Sequence, residues 1–173
     1  MGCLPHKPIV PKVTQDHTDL QLTGKFIWYD IVTLDIAGTA KFYGDLFGWS
    51  FENVPDGQGQ LQTISLDGVP IGNVVGVLVG AKEEFGAQWL GYMSVPDVDA
   101  SIEMVENNKG TLYYAAKELP DRGRVAAVRD PQGAMFALIH ASAGDPPDSE
   151  VKHSKWIGSE LWTVDIKGAL DFY

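Results

Sequence analysis

From Phe26 to Leu34 the chain reads FIWYDIVTL, aromatic and β-branched residues with one acidic interruption, the pattern of a buried strand. At Ile36 the period changes. Ile36, Ala40, Tyr43 and Phe47 fall on one helical face, Asp35 stands where a side chain caps the first free amides, and Gly48 stands where a helix stops. Three more strands follow over 49–54, 61–66 and 69–79, divided by the PDGQGQ turn at 55–60 and the Asp67-Gly68 hairpin dipeptide. Gly72 and Gly76 weaken or bend the last of them. The same order then returns. Residues 88–95 predict a strand, and Asp97 or Asp99 caps a helix near 98–109 that carries Val98, Ile102 and Val105 on one face. Gly110 ends that helix, and strands follow near 111–116, 123–129 and 134–140.

The order returns because the sequence repeats. Residues 156–173 match 26–43 without a gap: Ile27, Thr33, Asp35, Ile36, Gly38, Phe42 and Tyr43 recur as Ile157, Thr163, Asp165, Ile166, Gly168, Phe172 and Tyr173. A fainter copy sets Asp35, Ile36, Ala40, Tyr43 and Gly48 on Asp97, Val98, Ile102, Val105 and Gly110. Self-similarity of this kind marks one supersecondary unit used repeatedly. The chain reads as unit, unit, and the opening of another, with a strand expected at 157–164 and a helix at 166–173. Their apolar groups need cover, so they are expected to dock on the first domain or on another chain, with a homo-oligomer as one outcome.

Composition narrows the partners. A hydrophobic share of 45% against 21% charged residues supplies a globular core. A formal net charge of −10 argues against nucleic acid or an anionic membrane, which need clustered Lys and Arg. No apolar run approaches the roughly 20 residues of a transmembrane helix. The lone Cys3 excludes an internal disulfide framework and a cysteine-based metal cluster. Residues 1–24, with three prolines in the first eleven, read as a flexible tether or arm. Cys3 then has two readings: the lipid-anchor site of a bacterial envelope lipoprotein, or a free thiol on the tail of a cytoplasmic protein. The domain is expected over 25–141, in modules 25–81 and 87–141 joined by the link at 82–87. Residues 142–155 form a linker rich in Pro, Gly and charge, and 156–173 the truncated start of a second domain.

Two βαβββ units in this register, carried by TLDIAGTAKFYGDLFGW, VPDVDASIEMV and VRDPQGAMFALIH, resemble the vicinal oxygen chelate superfamily of glyoxalase, bleomycin-resistance and dioxygenase proteins. The wording FYGDLFGW is most similar to glyoxalase-like proteins with two such domains in tandem. The resemblance implies an α+β fold: paired βαβββ modules in a curved mixed sheet, helices outside, the two halves enclosing a ligand. In metal-dependent relatives His, Glu or Gln from the first and last strands of each unit hold a divalent ion. The matching positions here are Trp28, Leu90 and Ala137, with Asn73 the polar residue near the fourth. None is a good ligand. No metal and no cofactor is expected. His140 lies in the last strand with parity opposite to Ala137, and so reads as a strand-end or surface histidine.

Strand alternation then assigns a different lining. If position 28 faces the cavity, so do Asp30 and Val32, joined by Leu90 and Tyr92 and by Met135, Ala137 and Ile139. This is an apolar, aromatic wall with one carboxylate and one phenol. Asp30 either serves a ligand or bonds a neighbouring strand, and its counterpart in the third copy is Glu160. Trp28 and Trp89 are core or platform; Arg122, Arg124 and Arg129 hold an anion or are solvated hairpin charges. Two functions follow: a metal-free protein that binds an aromatic or cationic small molecule, or a metal-independent lyase- or isomerase-type enzyme with Asp30 and Tyr92 as acid and base.

Overall fold

The computed structural model describes residues 10–55, 57–77, 87–148, 150 and 153–173. In the first module β1 (Phe26–Thr33) leads into α1 (Ile36–Phe47), then β2 (Ser50–Asn53), β3 (Leu61–Leu66) and β4 (Val69–Gly76). Its strands lie in the order β2-β3-β4-β1, antiparallel except for β4 beside β1. In the second module β5 (Gln88–Ser94) is followed by α2 (Val98–Asn107), β6 (Thr111–Leu119), β7 (Gly123–Arg129) and β8 (Met135–Ala141). Their order is β5-β8-β7-β6, parallel only at β5 and β8. Each module is a mixed βαβββ unit, the α+β architecture expected. Cys3, His6, residues 78–79 at the expected end of the fourth strand and 82–86 of the link lie outside the described residues.

Local chemistry explains the repeat. Asp35 Oδ1 accepts from the Gly38 amide at 2.8 Å, Asp97 Oδ1 from Ala100 at 3.0 Å and Asp165 Oδ1 from Gly168 at 2.9 Å. Each aspartate satisfies an amide that a helix start leaves open, worth about 1 kcal/mol. Asp97, not Asp99, is therefore the cap of α2. The Asp67-Gly68 turn takes φ 52° and 77°, the two positive angles of a tight hairpin. Gly48 closes α1 at φ 71°. Gly110 does not close α2: Asn108 caps it and Lys109 takes the positive φ of 70°. Gly110 is needed for space instead, because a Cβ there would lie 2.6 Å from Val105 Cγ1 and 2.7 Å from the Arg129 carbonyl.

The core of each module lies between its helix and its sheet. In the first, Ile31, Trp49, Ile64 and Val74 are buried, with Ile36 and Tyr43 of α1 packed on them. In the second, Val98, Ile102 and Val105 of α2 bury against Ala126, Val128, Phe136 and Leu138. Full burial of one such aliphatic side chain stabilises by about 1.5–3 kcal/mol.

Three expectations need correction. Residues 157–164 form no strand, and Ile157, Trp162 and Val164 are 81%, 89% and 105% exposed. A strand needs a neighbour to take its amides and carbonyls, whereas a helix satisfies its own. Accordingly α3 (Ile166–Phe172) forms, with Phe172 and Tyr173 against Phe136. Second, residues 12–24 are not a loose arm. Val13 is buried, the Thr18 amide donates to the Ala143 carbonyl at 2.8 Å, and Gln21 Nε2 donates to Ser94 Oγ at 2.5 Å. Third, the start of the expected linker is built in. Asp145 is 1% exposed and accepts from the Leu22 amide and from Ser94 Oγ, both at 2.5 Å.

Candidate functional site

Register settles which side chains share a face. Ile31 pairs with Val74 across β1 and β4, and both go to the α1 side. Asp30 pairs with Asn73, one residue back on each strand, so both go to the opposite, helix-free face. Trp28 shares it. There Trp28 Nε1–H donates to Asp30 Oδ1 at 2.7 Å, and Asn73 Nδ2–H donates to the same oxygen at 2.9 Å. Trp28, Asp30 and Asn73 are 2%, 4% and 1% exposed. Asn73 Oδ1 is buried with no hydrogen-bond partner among the described residues. The amide cannot be turned to repair this, because its oxygen would then face the Asp30 carboxylate. Leu90, on β5 of the second module, is also buried.

In the second module Tyr92 pairs with Ala137, Met93 with Leu138 and Ser94 with Ile139. Leu138 and Phe136 belong to the α2 side, so Tyr92, Met135, Ala137 and Ile139 lie on the helix-free face, as parity predicts. Ala137 and Ile139 are buried; Tyr92 and Met135 are half-buried. Arg122 corrects the picture of solvated hairpin charges. It is 1% exposed, with its guanidinium carbon 5.9 Å from the centre of the Tyr92 ring. Arg124 does lie at the surface, paired with Asp99 at 2.7 Å, and its hydrogen bonds hold the Asp99 carboxyl below its ordinary range. Arg129 sits over the Tyr113 ring at 4.6 Å.

Trp89 goes to the core rather than to a ligand face. Its indole donates to the Tyr43 hydroxyl at 3.0 Å, and Tyr43, Trp49 and Trp156 surround it. Tyr29, one residue from Trp28 and so on the other face, stacks on Trp156 at 4.3 Å. His140 is exposed, its Nδ1 3.3 Å from the Val95 carbonyl. Among the described residues no three His, Cys, Asp or Glu side chains gather as a metal site would require. Strand periodicity alone does not bring Asn73 to Asp30 or Arg122 to Tyr92: the parallel register does the first and burial of the turn the second.

No protein-family model matches the chain. It is similar to CFP32 of Mycobacterium tuberculosis, described as a candidate glyoxylase, with 32% identity over 148 residues, 84% of this chain and 57% of that protein. A glyoxylase-like domain-containing protein of Didymella fabae is 34% identical over 94 residues, 51% of this chain and 71% of that one. Among solved structures, a variant of 4-hydroxymandelate synthase from Streptomyces coelicolor superposes with a TM-score of 0.51 at 14% identity, over 71% of this chain and 40% of that one. At that identity the likeness concerns the fold alone. The chain spans 57% of the length of the mycobacterial relative.

Proposed function

The chain belongs to the vicinal oxygen chelate superfamily of glyoxalase-like proteins, and from that premise we propose that it binds a small molecule without a divalent metal. The ligand rests on the helix-free face of the first module, against Trp28 and Asp30. The observation that carries this proposal is the buried trio Trp28, Asp30 and Asn73. Removing a carboxylate from water costs several kcal/mol, and an apolar residue of similar volume would stabilise the sheet as well or better. A polar group kept there, on the face that does not pack α1, is what a ligand site requires. The positions that hold the ion in metal-dependent relatives supply an indole, an isobutyl and a methyl group here, none of which ligates a divalent cation.

Native mass spectrometry of protein purified from its source should show a small organic molecule retained by the chain, and elemental analysis no stoichiometric nickel, zinc, iron or manganese. Trp28→Phe and Asp30→Asn, which keep most of the packing, should each weaken that molecule about ten-fold, the worth of one buried hydrogen bond to a charged group. A stoichiometric ion lost in Asp30→Asn would overturn the proposal. A metal-independent enzyme, with Asp30 or Tyr92 as its acid–base residue, is the second proposal. It is favoured by the buried Arg122 cation beside the Tyr92 ring, where charge developing on a phenol would be stabilised. Its sign would be conversion of the retained molecule, abolished by Tyr92→Phe.

A further inference from the structure

We infer that the ligand presents a positively charged hydrogen-bond donor, an ammonium group, to Asn73 Oδ1, and that Asn73 sets this requirement. The inference rests on the binding site proposed above and names the class of ligand it takes. Asn73 spends its donor on Asp30 Oδ1, which fixes the amide with its oxygen end directed elsewhere. That oxygen is buried and has no donor among the described residues. A buried carbonyl left unmet is costly, so a strand position flanked by Gly72 and Val74 would ordinarily hold an aliphatic residue. Gln62 Oε1 and Arg129 Nε are also buried and unmet, but Gln62 pairs with Val74 on the α1 side, and Arg129, opposite Met135 in the second module, offers a donor over the Tyr113 ring rather than an acceptor.

Two groups at this place discriminate among ligand heads. A carboxylate head would set an acceptor against the Asn73 oxygen and a negative charge beside Asp30. A hydroxyl head would satisfy Asn73 and gain little from Asp30. An ammonium head satisfies the one and is attracted by the other, since charge-assisted hydrogen bonds are the stronger kind. The Trp28 indole, bonded to the same Asp30 oxygen, places an aromatic ring next to the head and suits an aromatic or apolar body. The expected order is ammonium, then hydroxyl, then carboxylate.

The test uses the full chain labelled with nitrogen-15 and three fragments of one shape: 2-phenylethylammonium, 2-phenylethanol and 3-phenylpropanoate. The reporter is the Trp28 indole N–H resonance, assigned with Trp28→Phe, because that N–H is bonded to Asp30. The ammonium fragment should shift it and bind at least about ten-fold more tightly than the carboxylate. Asn73→Leu should abolish the preference. Should Asn73→Leu not fold, Asn73→Ser, whose hydroxyl still accepts, should keep the preference in reduced form. A carboxylate fragment that shifts Trp28 as tightly as the ammonium overturns the ligand class and leaves the site standing. Fragments that shift other resonances and never Trp28, or that do not bind at all, overturn the inference. In the first of those cases the site itself also falls.

Discussion

Gly72 lies on β4 where a Cβ would stand 2.4 Å from the Tyr29 carbonyl oxygen. The obstacle is backbone in a central strand, which cannot swing aside as a long side chain does. Gly72→Ala should therefore force β4 away from β1 and cost about 1–3 kcal/mol, the range for overpacking a close contact. Urea unfolding checks this, and an unchanged midpoint would show that β1 and β4 are held less tightly than their register implies. The consequence reaches the site, because the strand that approaches Tyr29 also carries Asn73 to Asp30. A different crowding explains a repeated glycine. At Gly38 and Gly168 a Cβ would lie 2.2 and 2.3 Å from the capping Asp35 and Asp165 carboxylates. Thr-x-Asp-Ile-x-Gly recurs because the cap needs that space.

Among the elements, α3 differs from α1 in what lies beneath it. Its cap matches that of α1, yet α1 lies on a sheet while α3 has Phe136 for Phe172 and Tyr173. The Tyr173 phenol also lies 3.4 Å from Asp130 Oδ2. Burial, and then the neighbouring Asp130 charge and hydrogen bond, push its pKa up to about 12 from 10.0. The folded state thus favours the neutral phenol. Its contribution to docking α3 is fully present below pH 10.0 and is lost as pH rises from there to about 12. Ultraviolet difference titration of the chain against Tyr173→Phe should find one tyrosine ionising late. A difference curve centred at the free-phenol value would show that the contact with Asp130 does not form in solution.

At the scale of the whole molecule the acidic balance decides. With 23 acidic against 13 basic residues, the formal charge of −10 repels itself in the compact state. Among the described residues, the ion pairs that salt would weaken, Lys25 with Asp148, Lys41 with Asp45, Arg124 with Asp99 and Lys167 with Asp171, are partly or largely exposed. Such pairs contribute about 0–1 kcal/mol each. Screening should therefore relieve more repulsion than it removes attraction. Raising sodium chloride from about 0.05 to 0.5 M should raise the melting temperature by about 2–4 °C for each kcal/mol gained, in a chain of this length. A falling melting temperature would mean that the local pairs matter more than the net charge.

Capping aspartates, the hairpin dipeptide, the helical period and the repeat are all local signals, and from them the sequence by itself determined two βαβββ modules in the right order. Parity along a strand is local too, so Trp28 and Asp30, and Tyr92 with Ala137, were legible as face-sharing residues. What no local pattern carries is which strand lies beside which, and in what register. Only the tertiary structure set Asn73 beside Asp30, buried Arg122 in its turn and tied Asp145 to the segment near Leu22. The third copy marks the boundary between the two kinds of information. Its sequence is that of β1 and α1, and its helix forms because a helix satisfies its own hydrogen bonds. Its strand does not form, because a strand exists only where another strand receives it.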